Sequence, residues 1–341
     1  MNRLTLDEHT PLKDLPPQFS LSWNKAVVES YPNIKSLYFI NENKDLFFPL
    51  MEVNSKFFGK KIVSLPFIDF GGVEGKFKKE EIKETINSFP KNLKYVEIKI
   101  SEFQKNFGEM KLLLENLKYK LVQKRKEAII NLKSPEEMFK DLKRVIRKAI
   151  RKAKKNDLKI KINEIGGVSK FYKLYSKNMN LFGSPQHSKK FFLNLEKFME
   201  DDFKCLNCYK KNKLIGALIF FINGNYSYAA FSVSDFSYRN FQPNELLHWE
   251  AMKICFQEGA KIFDLGQCEE GAPERSHAEG IYNFKMKWPV ILNKKYSYRK
   301  SSLKEGHSNK DGLKKMSKTY GRLPLFITKF IGPKIISQLG I

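Results

Sequence analysis

The 341-residue sequence predicts an α/β or α+β layer fold built twice in tandem, and three observations carry that expectation. Short β-type runs alternate with helical patterns along both halves, as in layered sheet-and-helix proteins. The stretch LYFINENKDLFFPLMEV (residues 37–53) shares its strand–turn–strand grammar with CLNCYKKNKLIGALIFFI (residues 205–222). Asn43–Lys44 and Asn212–Lys213 fall at the same place in the two turns. Each half also holds a strand ending in Asp-x-Gly, at Asp69 and at Asp264. Such self-similarity marks a duplicated domain.

Taken in order, residues 19–31 pattern as a helix. KSLYFI and DLFFPLMEV are strands around a turn of the Asn and Asp residues that turns favour. KKIVSLPF is a third strand and runs into IDFGGVEG, residues 68–75; YVEIKI and EAIINL are further strands. Residues 134–156 predict one continuous helix. Ser134 with Glu137 forms a capping box, and Pro135 takes the first helical position. Leu142, Val145, Ile146, Ala149, Ile150 and Ala153 make its apolar stripe. Lys143, Arg144, Arg147, Lys148, Arg151, Lys152 and Lys155 cover the other face. Acidic residues are almost absent after Asp141, so these cations repel one another, and a stripe carrying that cost suits a polyanion. A helix beginning near Pro243–Asn244 stops at Gly259. Residues 263–288 predict a short strand, a polar loop and a strand-like return. On a strand, Phe284 and Lys285 point to opposite faces.

The balance of 62 Lys+Arg against 37 Asp+Glu gives a formal charge of +25 and favours polyanionic partners: nucleic acid, an anionic membrane face or phosphorylated substrates. Four cysteines do not make a disulfide framework. Cys205 and Cys208 are spaced like metal ligands, but three residues apart on a strand they face opposite ways, so no metal site is expected. No Walker loop, H-E-x-x-H or G-x-S-x-G is present. His187, His248 and His277 read as satisfied surface or helix residues. The polar start of the chain lacks an apolar signal core, and no run approaches a membrane span, so a cytoplasmic protein is expected. Residues 312–341 contain no Asp or Glu. This basic, apolar terminus suits either packing on the first half or peripheral contact with an anionic membrane.

The loop before Pro243 resembles the one that, in the Gcn5-like N-acetyltransferase (GNAT) fold, carries closely spaced glycines for the pyrophosphate of coenzyme A. Residues 239–244 here contain none, which speaks against acyl-CoA, the alternative donor. More specific are SLPFIDFGG, LKRVIRKAIRKAKKNDLKI, LFGSPQHSKKFF, PNELLHWEAMKICFQEGAKIFDLG and GIYNFKMKW. Through these stretches the chain resembles the FemA/FemB/FemX (FemAB) family of tRNA-dependent peptidyl transferases, with the closest pattern among its exopolysaccharide-associated relatives.

The resemblance implies two GNAT-like domains, residues 1–133 and 134–300, with residues 301–341 as a tail. It implies an aminoacyl- or acyltransferase with no cofactor, taking aminoacyl-tRNA as donor and a lipid-linked or envelope precursor as acceptor. Lys285 would stabilise the oxyanion beside Phe284, with Asp69 as a candidate base. Trp23, Lys25, Asp69, Gly71, Gly72, Ser184 and Tyr282 would contact the acceptor, and Arg144, Arg147, Lys148, Arg151 and Lys152 the tRNA. Family members acting on peptidoglycan precursors have an arginine before the proline at 185; Ser184 stands there in this chain.

Overall fold

The computed structural model describes residues 2–3, 15–68, 71–274, 276–301 and 319–340. Its first half contains β1 (Asn2–Arg3), α1 (Leu21–Ser30), β2 (Ile34–Ile40), β3 (Leu46–Ser55), β4 (Gly59–Val63), β5 (Glu74–Gly75), α2 (Lys79–Asn87), β6 (Tyr95–Ser101), α3 (Phe107–Asn116) and β7 (Lys120–Asn131). The second contains α4 (Pro135–Asp141), α5 (Arg144–Lys155), β8 (Leu158–Ile162), α6 (Gly167–Leu181), α7 (Lys189–Met199), β9 (Phe203–Lys210), β10 (Lys213–Asn223), β11 (Tyr226–Ser234), α8 (Pro243–Gln257), β12 (Ile262–Cys268), α9 (His277–Met286) and β13 (Ile291–Ser301). Last comes α10 (Leu325–Leu339).

The duplicated hairpin is present as β2–β3 and β9–β10. Each turn places a lysine in the left-handed region, Lys44 (φ 55) and Lys211 (φ 52). The Asp-x-Gly correspondence does not hold. Residue 69 follows β4, whereas Asp264 lies inside β12, whose counterpart in the first half is β6. The two halves match through their parallel pairs, β4 with β6 and β11 with β12.

All the strands join in one sheet, ordered β1-β2-β3-β4-β6-β13-β7-β12-β11-β10-β9-β8, with β5 beside β3. At its centre the halves exchange strands. β13, from the second half, lies between β6 and β7; β7, from the first, lies between β13 and β12. The cores are shared as well. Trp23 and Val27 of α1 pack with Phe191 and Phe192 of α7 and with Phe221 of β10 in one buried cluster. Cys205 belongs to that cluster and Cys208 to the one on the opposite face, as strand alternation requires. Burial pushes both thiols up to about 12.

The predicted 134–156 helix is two helices. The capping box is formed, but Leu142 (ψ 139) and Lys143 (ψ 147) are extended and separate α4 from α5. Tertiary contacts hold the break: Arg147 Nη1 donates to the carbonyls of Lys140 and Leu142 (both 2.8 Å), and Lys143 Nζ donates to Met286 O (2.5 Å). Val145, expected in the apolar stripe, is exposed. At the C-terminus α10 runs through Pro333 and packs on both halves. Asn33 Nδ2 donates to Ser337 O (3.0 Å), and Asn180 Nδ2 to Leu323 O (3.0 Å). Among the described residues no helix is long and apolar enough to cross a membrane.

Candidate active site

The site begins with a gap in the sheet. β11 and β12 pair only at Tyr226↔Ile262, Ser227↔Phe263 and Tyr228↔Asp264. Beyond that point β11 follows β10, while β12 bulges between Asp264 and Gln267 along β7. The equivalent gap in the first half is plugged. Gly71 N donates to Lys99 O (3.1 Å), and Gln104 Nε2 donates to Gly71 O (2.8 Å). A Cβ on Gly71 would stand 2.8 Å from Ser64 Cβ, and Gly72 has φ +91. Gly71 and Gly72 therefore allow a close approach of the backbone to Ser64 and β6. After β11 the chain instead turns away into the 3-10 helix Phe236–Phe241.

Across the second-half gap stands α9. The return expected as strand is this helix, capped by Ser276 Oγ, which accepts from Glu279 N (3.1 Å). Lys285 occupies its last turn, where the helix dipole favours a cation. The half-buried Lys285 Nζ donates to Gln267 O (2.6 Å), just past the bulge in β12. Phe284 packs edge-on against His248 of α8, with ring centroids 5.0 Å apart. His248 is buried and its Nδ1 donates to Asn244 O (2.8 Å). Burial, with a smaller push from the Lys285 charge, holds its imidazole down to about 4, so the ring is neutral at pH 7. Tyr282 Oη donates to Glu270 Oε1 (3.3 Å), and Glu270 pairs with Lys126 of β7 (2.6 Å).

The segments that carried the resemblance come together around α9. Phe182 stacks on His277 at the helix start (3.7 Å) and meets Phe236 (5.5 Å). Five residues on, His187 contacts Phe67 of the SLPF loop (4.8 Å) and shares a hydrogen bond with Tyr31 Oη (2.7 Å). Leu65 (φ 47) and Phe67 (φ 68) hold this loop in the left-handed region, backbone strain of the kind found at functional sites. Asp69 lies outside the described residues. Ser184, half-buried, sits in the 182–187 turn with its N–H on Met179 O (2.9 Å).

Two expected acceptor residues lie elsewhere. Trp23 is 1% exposed and stacks edge-on with Phe191 and Phe221, so its ring fills the core and offers no face to a ligand. Lys25 Nζ lies 5.4 Å from the Phe198 ring centroid at the far end of α7, roughly 15 Å of helix from the 182–187 turn. The basic residues divide. Lys148 and Lys152 line a cleft of about 200 Å³ with Gln242, Glu245 and Lys287, at the start of α8. Arg144 is exposed, the Arg151 guanidinium lies 5.6 Å from the Phe139 ring, and Arg147 is spent on the carbonyls ending α4.

Sequence reading missed a buried polar network behind the gap. Glu127 of β7 and Asp264 of β12 are fully buried, and Lys295 of β13 nearly so. Lys295 Nζ pairs with Glu127 Oε1 (2.7 Å), Ser101 Oγ donates to Glu127 Oε2 (3.2 Å), and Tyr226 Oη donates to Asp264 Oδ2 (2.8 Å). Asp264 Oδ1 accepts from Gly266 N (2.6 Å), one residue before the carbonyl that holds Lys285. Burial, then the Asp264 charge, pushes the Glu127 carboxyl far above its ordinary range. Only the charged residues inside strand-like text could have signalled this network.

The chain matches the family model described as an acetyltransferase (GNAT) domain over residues 140–286. It is 35% identical over 82 residues to the lipid II:glycine glycyltransferase of Staphylococcus haemolyticus (strain JCSC1435). That stretch is 24% of this chain and 19% of the relative, so the chain spans less than a fifth of the relative's length. Among solved structures it is similar to FemX, with TM-score 0.67 at 15% identity, covering 87% of this chain and 96% of that one. It is also similar to L-PGS from Bacillus licheniformis, with TM-score 0.51 at 10% identity, covering 84% and 90%. These structural likenesses show a shared fold.

Proposed function

We propose that the chain is a GNAT-fold transferase of the FemA/FemB/FemX type, and that it moves an aminoacyl group from aminoacyl-tRNA to an amine of a lipid-linked envelope precursor. The observation that carries this reading is the Lys285 ammonium, fixed on Gln267 O beside the sheet gap. Attack of an amine on the aminoacyl ester forms a C–N bond and puts negative charge on the carbonyl oxygen. Collapse breaks the ester C–O bond and releases the tRNA hydroxyl, which takes up the proton lost by the amine. A prepositioned ammonium lowers the barrier to the charged intermediate. The ester is already activated, so positioning and charge stabilisation suffice without a covalent enzyme intermediate. Asp69 remains the candidate base for the incoming amine. A lipid-linked acceptor would place the reaction at the cytoplasmic face of the membrane.

Acyl-CoA fits the residues poorly. At the start of α8, where a pyrophosphate would need amides, Glu245 is a buried carboxyl in the first turn. The preceding 3-10 helix is packed with side chains, Arg239 over Phe236 (3.5 Å) and Lys210 over Phe241 (3.8 Å). The cations of the neighbouring cleft suit a phosphate backbone running past it.

The test is single-turnover transfer from bulk charged tRNA to an envelope-precursor extract. Lys285→Ala is expected to lower the rate by about 10²–10³ with the chain still folded. A variant within a few-fold of wild type would remove Lys285 from the chemistry. Micromolar binding of coenzyme A by calorimetry would instead favour the thioester donor.

A further inference from the structure

We propose that the chain docks on anionic phospholipid bilayers through one defined surface, formed by α10 and the tip of the β3–β4 hairpin. Positions 326, 330 and 334 lie one turn apart on α10, and Phe326, Phe330 and Lys334 are all exposed, the two rings at 74% and 66%. Lys334 Nζ covers the Phe330 ring at 3.8 Å from its centroid. The other face ties the helix down. Thr328, Gly332 and Ser337 are buried there, and a Cβ on Gly332 would meet Tyr320 Oη at 2.5 Å.

The exposed stripe continues at Gln338, whose Oε1 accepts from Lys56 N (2.7 Å). That bond sets the hairpin tip, with Phe57 80% exposed, against the end of the stripe. At the other end, α10 packs on α6, whose last residue Leu181 is also exposed at 65%. Large apolar side chains held this far out of the fold mark an interaction surface. Its fringe is cationic, with Lys56, Arg322 and Lys334 exposed and Lys329 half-buried, and residues 319–340 contain no acid. Aromatic rings standing among cations fit acyl chains below and anionic headgroups around them. The inference is independent of the transfer reaction, since lipid binding is read with neither donor nor acceptor present.

The experiment is cosedimentation of the full chain with large vesicles of phosphatidylglycerol and phosphatidylcholine, and with phosphatidylcholine alone. Binding is expected only to the first. A charge of +25 could give such binding through any basic face, so the deciding variant is F57S/F326S/F330S, which keeps every cation. Its affinity should fall about a thousandfold, from about tenfold for each of the three phenylalanines buried in lipid, with an unchanged melting curve. Wild-type affinity in this variant would overturn the proposal. F326W supplies a second reading. Trp23, Trp249 and Trp288 are 1–4% exposed and cannot meet the bilayer, so a blue shift on adding phosphatidylglycerol vesicles reports insertion at 326. No shift, or a lipid-free dimer that already buries the new indole, would equally overturn it.

Discussion

Glu127 is buried between one carboxylate and one ammonium, and its proton decides whether the centre of the sheet is charge-balanced. Burial first, then the Asp264 charge, favours the protonated form of Glu127 against the opposing pull of Lys295. A carboxyl whose pKa is raised by folding holds a proton that the unfolded chain gives up. Its contribution to stability is complete below the ordinary glutamate pKa and is lost as pH rises toward the folded value, by at most about 1.4 kcal/mol per pH unit. Glu127→Gln removes that titration while keeping shape. The unfolding free energy of wild type minus that of the variant should therefore decline from about pH 5 to about pH 8 in denaturant melts. A flat difference would mean that Glu127 is charged in the fold. Taking the difference matters because His187 and His248, held down to about 3 and about 4 by burial, pull stability the other way below the ordinary histidine range. At this scale the candidate site was half legible. Phe284 and Lys285 stood out through the resemblance, whereas Trp23 did not reveal that it faces the core, because a tryptophan on an amphipathic helix carries the same letter whether it lines a pocket or fills one.

Among the elements, α9 shows where local reading fails and what could have corrected it. Tyr282, Phe284 and Trp288 alternate with polar residues and suggest a strand. Ser276 and Glu279 are spaced as a helix start, and in the fold Ser276 does cap α9. The helical form puts Lys285 and Phe284 on neighbouring parts of one surface, so the bulge that a strand would have required is unnecessary. The α4–α5 break is the opposite case. Periodicity is helical throughout, and the chain turns where Arg147 takes the carbonyls of Lys140 and Leu142 and Lys143 grips the distant carbonyl of Met286. By contrast, α8 begins at Pro243 as expected, because a proline at the first position and a glycine after the last turn are purely local signals. The cleft between α5 and α8 yields a prediction for these elements. Replacing Lys148, Lys152 and Lys287 by Gln should weaken tRNA binding and reduce the slope of log affinity against log salt by about two to three. The same change at exposed Lys83, Lys91 and Lys118 of the first half should do less. Equal effects in filter binding would spread the contact over the whole surface.

For the whole molecule, the duplication was visible in the hairpins but the exchange of β7 and β13 was not. Pairing across the sheet joins residues such as Lys295 and Ser101, and nothing near either one in sequence names the other. Because each half completes the other's sheet, and α1 and α7 share a core, the halves should not melt separately. Calorimetry should give one transition with calorimetric and van't Hoff enthalpies in agreement; two resolved peaks would show that the halves are independent.

The exchange also imposes an order on biosynthesis. Until β13 emerges from the ribosome, the slot between β6 and β7 has nothing to fill it, and those two strands must wait about 10 Å apart or pair wrongly. The amino-terminal half is thus a nascent chain with open hydrogen-bonding edges while some 160 further residues are made. Stalled intermediates arrested before residue 291 should recruit chaperones and be cut readily by protease, and release of the complete chain should abolish both.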